Sequence, residues 1–119
     1  MASLGNPGNT IEVLQKYKFN FQKKFGQNFL IDTHVLEKIM VASEITKEDM
    51  VLEIGPGIGT MTQYLCEQSR YVVAVEIDDA LIPILSDTLS EYENVEILHK
   101  DILKVDIQKL VMEKNQGIP

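Results

Sequence analysis

Glu53, the loop Gly55-Pro56-Gly57-Ile58-Gly59, Glu76 and Asp101 are the residues of this chain whose types and spacing could do chemistry. Val51-Leu52-Glu53-Ile54 is a short apolar run that feeds directly into three alternating glycines. Seventeen residues beyond the last of them, Glu76 ends a second apolar run, and Asp101 follows a third. A buried strand, a tight turn that admits close backbone approach and a carboxylate about twenty residues on are how an α/β fold holds a ribose.

Three ligands compete for such a loop. A dinucleotide fingerprint needs a third glycine where Thr60 or Thr62 stands, depending on register, and fails in both. A phosphate-cradling loop needs a Gly-Lys-Ser/Thr end, which Gly59-Thr60-Met61 lacks. S-adenosylmethionine carries no phosphate; its sulfonium and ammonium tolerate a rim of carboxylates. For that ligand Glu76 is placed to accept both ribose hydroxyls and Asp101 to accept the adenine amine. Glu53 would lie near the amino-acid end or orient the loop through hydrogen bonds. Carboxylates at strand ends can also be mere solubilising groups, but three at successive strand ends around a glycine loop favour the cofactor.

The elements that must position these residues follow from periodicity. Met50–Ile54, Tyr71–Val75 and Val95–Leu98 read as strands. Thr60–Gln68 reads as a helix with Met61, Tyr64 and Leu65 inward. Asp78 is placed to cap another carrying Leu81, Ile82, Leu85 and Leu89, with Pro83 in its first turn. Asp106 caps a last helix with Ile107, Leu110 and Val111 inward. Asp32 or Thr33 caps an earlier one with Val35, Leu36, Ile39 and Met40 on one face, and Thr46–Asp49 is a polar turn. Right-handed crossovers then give an α/β fold with a parallel sheet in spatial order 3-2-1, half of a doubly wound sheet. The sequence stops at Gly117-Ile118-Pro119, where a fourth strand would begin, so a piece of a larger domain is expected, with strand one left bare along one edge. Such an edge invites dimerisation or strand exchange.

Residues 1–30 differ from the rest. Met1–Asn9 reads as a loose tail, and Thr10 caps a short helix with Ile11, Leu14 and Tyr17. A basic, aromatic strap follows, in which all four phenylalanines, Phe19, Phe21, Phe25 and Phe29, interleave with Lys18, Lys23 and Lys24. These 30 residues carry four lysines against Glu12, a net +3, while the chain as a whole is −7. Aromatics among cations suit single-stranded nucleic acid, stacking bases and neutralising phosphates. The same pattern suits a strap whose phenylalanines plug the sheet while its lysines stay wet. Residues 31–119 form the cofactor-binding half-domain. Cys66 is the sole cysteine, so no internal disulfide forms. No signal peptide is expected from the polar, glycine-rich Met1–Thr10, no apolar run nears the ~20 residues of a membrane span, and no metal site is expected. The cytoplasm is the default.

Lys23-Lys24-Phe25-Gly26-Gln27-Asn28-Phe29-Leu30, the Leu52–Thr62 block, Val75-Glu76-Ile77-Asp78 and Lys100-Asp101-Ile102-Leu103 together closely resemble the ribosomal RNA adenine dimethyltransferases, over roughly residues 10–113. The resemblance implies a Rossmann-like class I methyltransferase fold. It implies S-adenosylmethionine contacts from Gln27, Asn28, Leu30, Gly55, Glu76 and Asp101. It implies dimethylation of two adjacent adenines of small-subunit (16S) rRNA, within the assembling pre-30S particle. The erythromycin-resistance methyltransferases, which act on 23S rRNA, share the Gln-Asn-Phe-Leu block and rank second. The family's acceptor motif, Asn-Leu-Pro-Tyr, does not occur: prolines stand only at 7, 56, 83 and 119. No catalytic residue is therefore expected in this chain, and a non-catalytic cofactor- or RNA-binding module stays open. A nicotinamide-dependent half-domain is disfavoured by Thr60.

Overall fold

The computed structural model describes residues 3–17 and 33–114. Its elements are α1 (Pro7–Lys16), α2 (Thr33–Ser43), β1 (Met50–Ile54), α3 (Thr60–Gln68), β2 (Tyr71–Glu76), α4 (Leu81–Thr88), β3 (Val95–His99), a single 3-10 turn (Ile102–Lys104) and α5 (Ile107–Lys114). The three strands form one parallel sheet in the order β1-β2-β3. Leu52 pairs with Val73, and Val73 with Glu96. This is the predicted order, and each parallel step is made by a crossover helix.

β2 is the axis of the core. Val72, Val73 and Ala74 are fully buried, as a strand covered on both faces requires. Its side chains alternate between two packings. Val72 meets Met40 of α2 with Leu65 and Cys66 of α3, whereas Val73 and Val75 meet Leu110 of α5. Asn94 fastens the next junction. Its side-chain amide donates to the Cys66 carbonyl at the end of α3 at 2.8 Å, just before β3 begins. Among the described residues no strand pairs with the other edge of β1.

The N-terminus departs from expectation. α1 begins at Pro7 rather than after Thr10, because the Asn6 side chain accepts from the Gly8 amide at 2.9 Å and Pro7 occupies the first helical position. Pro-Gly reads as a breaker in one dimension, yet proline is favoured at the start of a helix. Thr10 lies inside α1, buried, and its hydroxyl donates to the Leu4 carbonyl at 3.0 Å. Nor is Leu4 in a loose tail: it is 1% exposed and packs with Val13, Ile58, Leu81, Ile84, Leu85 and Leu89. The strap expected around Lys18–Leu30 lies outside the described residues.

Other differences are local. In α2 only Leu36 and Met40 are buried; Val35 and Ile39 are 52% and 42% exposed. In α3 the inward face carries Thr62 and Gln63, while Met61 and Tyr64 are half-buried. Asp78 sits before α4: its side chain accepts from the Ala80 amide and its carbonyl from the Leu81 amide. Pro83 falls in the first turn of α4, as its missing N–H demands. In α5 Leu110 is buried and Ile107 exposed, with the Asp106 carboxylate accepting from the Lys109 amide at 3.1 Å.

Candidate functional site

The loop between β1 and α3 bends through three glycines with positive φ: Gly55 at 71°, Gly57 at 63° and Gly59 at 99°. L-residues with a Cβ rarely occupy this region, which explains the alternation. The Gly55 amide donates to the Val75 carbonyl at 2.9 Å, carrying the β1–β2 ladder one residue into the loop. A Cβ on Gly55 would meet nothing within 4 Å, so backbone there faces open space.

Glu76 closes β2 directly beside this loop. It is 4% exposed, and its carboxylate accepts from the Gly57 amide at 3.3 Å and the Asp78 amide at 3.0 Å. Each oxygen takes one backbone donor and keeps a lone pair for a further one. The Glu76 carbonyl accepts from the Lys100 amide at 3.1 Å, which fixes the end of β3, and so Asp101, against the end of β2. One Asp101 oxygen accepts from the Leu103 amide at 3.0 Å and caps the 3-10 turn. The other has no hydrogen bond among the described residues. Beside it opens a groove of about 460 Å³ lined by Ile77, His99, Lys100, Asp101 and Lys104.

Glu53 points to a different partner. The Thr62 hydroxyl of α3 donates to its carboxylate. Burial pushes the Glu53 carboxyl up to about 7; the Thr62 hydrogen bond opposes that shift and the Glu76 charge adds to it. Glu53 thus makes a hydrogen bond that ties the end of β1, beside the loop, to α3, in keeping with the orienting role foreseen for it. Cys66 is buried and its thiol is pushed up to about 12, chiefly by that burial, so it is not a nucleophile.

Of the residues singled out in the sequence, Gly55, Glu76 and Asp101 come together at the carboxyl edge of the sheet, where open α/β sheets bind ligands. Gln27, Asn28 and Leu30 lie outside the described residues. Sequence reasoning missed Thr62, Gln63 and Thr88, which hold the loop from behind. A polar Gln63 on the inward side of an amphipathic helix was the available signal. Nothing in one dimension links Thr62 to Glu53 or Thr88 to the loop. Among the described residues no three His, Cys, Asp or Glu side chains gather to hold a metal ion, and no helix is long and apolar enough to cross a membrane.

The family model described as ribosomal RNA adenine dimethylase matches residues 18–118. Ribosomal RNA small subunit methyltransferase A of Lachnoclostridium phytofermentans is 72% identical over 120 residues, covering 100% of this chain and 41% of its own length. The protein of the same name from Clostridioides difficile is 51% identical over 119 residues, again covering 100% of this chain and 41% of its own length. The chain thus spans about two fifths of the curated relatives it matches. Among solved structures, the 23S rRNA methyltransferase ErmE matches with a TM-score of 0.61 at 28% identity, over 73% of this chain and 42% of that one. A dimethyladenosine transferase from Plasmodium falciparum matches with a TM-score of 0.58 at 32% identity, over 62% of this chain and 28% of that one. The sheet and its helices are a Rossmann-like methyltransferase fold.

Proposed function

Because the chain belongs to the ribosomal RNA adenine dimethylase family, we propose that it forms the S-adenosylmethionine-binding part of an enzyme that dimethylates two adjacent adenines of small-subunit rRNA. The cofactor, when bound, supplies an electrophilic methyl group on a sulfonium. The residues present fit it. Glu76 is a buried carboxylate braced by two backbone amides and still able to accept two hydroxyls. Gly55 leaves its backbone open to close approach. Asp101 has a free acceptor oxygen beside an open groove for an amine. The carboxylates of Glu76 and Asp101 at neighbouring strand ends favour a cation over a phosphate. Gln27, Asn28 and Leu30 complete the set on the strength of the family pattern.

The buried, amide-braced Glu76 carries this reading. Glu76→Ala is expected to weaken S-adenosylmethionine binding at least about 100-fold, the loss of two hydrogen bonds to a charged acceptor. Calorimetric titration of the unaltered chain and the variant measures it, and equal affinities would refute the site. The acceptor motif is absent from residues 1–119, so this chain binds and orients the donor without supplying the groups that hold the target adenine. Its partners are small-subunit rRNA and the assembling pre-30S particle, which places the work in the cytoplasm.

The likeness to ErmE supports a second reading, a large-subunit target. Methylation assays of the whole enzyme on small-subunit and on large-subunit RNA separate the two. The edge of β1 that no strand among the described residues pairs supports self-association of this chain on its own. Sedimentation equilibrium should find dimers or larger species, and a strictly monomeric chain would contradict that expectation.

A further inference from the structure

A run of buried polar contacts leads away from the glycine loop on the side of the N-terminal segment. The Thr88 hydroxyl donates to the Ile58 carbonyl at 2.7 Å. The Gln63 side-chain amide donates to the Thr88 carbonyl at 3.0 Å, and its oxygen accepts from the Leu4 amide at 2.8 Å. All three side chains, Leu4, Gln63 and Thr88, are buried. Leu4 and Ile58 share one apolar cluster, so the two ends of this run also touch through their side chains' packing. Ile58 is the neighbour of Gly57, whose amide braces Glu76.

We propose that Gln63 and Thr88 are positioning residues that tie the N-terminal segment to the glycine loop, so that the seating of Leu4 sets the affinity for the cofactor. The inference rests on the reading of the site given above and deepens it. Thr88 and Gln63 are closed off from solvent, so they act through the loop and not on the ligand. Buried polar groups that satisfy one another resist separate movement, because opening one leaves the next unpaired. The loop needs such bracing, since glycine backbone is free to leave the left-handed region and only its surroundings hold one conformation. The N-terminal segment is also fastened at other points. Lys16 reaches Asp87, the neighbour of Thr88, at 2.8 Å, Tyr17 donates to the same carboxylate, and the Thr33 hydroxyl donates to the Gly5 carbonyl at 2.6 Å. Residues on both sides of 18–32, the stretch that holds Gln27, Asn28 and Leu30, are therefore anchored to this one unit.

The test is S-adenosylmethionine titration of the full chain carrying Thr88→Val, Thr88→Ser, Leu4→Ala or Leu4→Ala with Thr88→Val. Loss of the hydroxyl should raise Kd about tenfold in Thr88→Val, and Thr88→Ser should stay within about twofold of the unaltered chain. The double variant should bind about as well as the weaker single one, the mark of residues acting as a unit. An unchanged Kd in Thr88→Val, whatever happens to its melting temperature, overturns the coupling, as do strictly additive losses in the double variant. Should Thr88→Val not fold, Gln63→Met takes its place: a Kd raised about tenfold supports the coupling and an unchanged Kd overturns it. No binding by the unaltered chain would instead remove the cofactor reading itself, and this inference with it.

Discussion

Gly55 and Gly59 stand in one loop, both with positive φ, and their surroundings differ completely. A Cβ on Gly55 would meet nothing within 4 Å, whereas one on Gly59 would come within 2.9 Å of the Thr88 hydroxyl and 3.4 Å of Leu85 and Leu89. The first glycine borders open space. The last lets α3 and α4 close together behind the loop. An alternating glycine pattern thus combines two requirements, one on the binding face and one on the packed face, and a sequence motif merges them.

Substitution separates the two. Gly59→Ala should have the largest effect on stability, about 3 kcal/mol or more, because it adds backbone strain to a clash with a buried, hydrogen-bonded side chain. Gly55→Ala should cost about 1 kcal/mol of stability, the left-handed penalty alone, while lowering cofactor affinity about tenfold. Urea unfolding and calorimetric titration of both variants decide the matter. Equal losses of stability would erase the distinction between the faces.

The smallest effect sharpens the contrast between the two glutamates of the site. Glu76 is braced by backbone amides, whereas Glu53 has the Thr62 hydroxyl as its hydrogen-bond partner and feels the Glu76 charge. Burial lifts the Glu53 carboxyl from 4.5 to about 7. Between those values the folded chain holds a proton that the unfolded chain has lost. Stability therefore declines as pH rises from about 4.5 to about 7 and levels off above. Glu53→Gln should remove about 1 kcal/mol of that decline, with allowance for partial exposure. Unfolding at pH 5 and pH 7.5 measures it, and a variant that keeps the full decline would show that another group titrates.

Much of the site was legible because its parts are local. Glycines that need positive φ announce themselves by type, and Glu76 and Asp101 mark the ends of apolar runs that read as strands, β2 buried and β3 half-buried. The boundaries of β1 and α3 also followed from periodicity. The N-terminus did not, since Pro7 and Gly8 look like breakers until Asn6 is seen capping the helix. Leu4 reads as part of a tail in one dimension because, Thr10 and Val13 aside, its partners, Gln63 and the α4 leucines, lie some sixty to eighty residues away. Val35 and Ile39 show the opposite error: among the described residues, the apolar stripe on α2 is wider than the surface that buries it.

The sequence by itself determined the strand order, the left-handed loop and the standing of Glu76 and Asp101 at neighbouring strand ends, because each depends on residue type and on spacing along successive βα units. Only the tertiary structure decided which glycine faces open space and which faces the core. It alone joined Glu53 to Thr62 and Leu4 through Gln63 to Thr88. Those pairings are set by how helices from distant stretches of chain come to rest on one sheet, and pairwise distances in space leave no periodic mark along the chain.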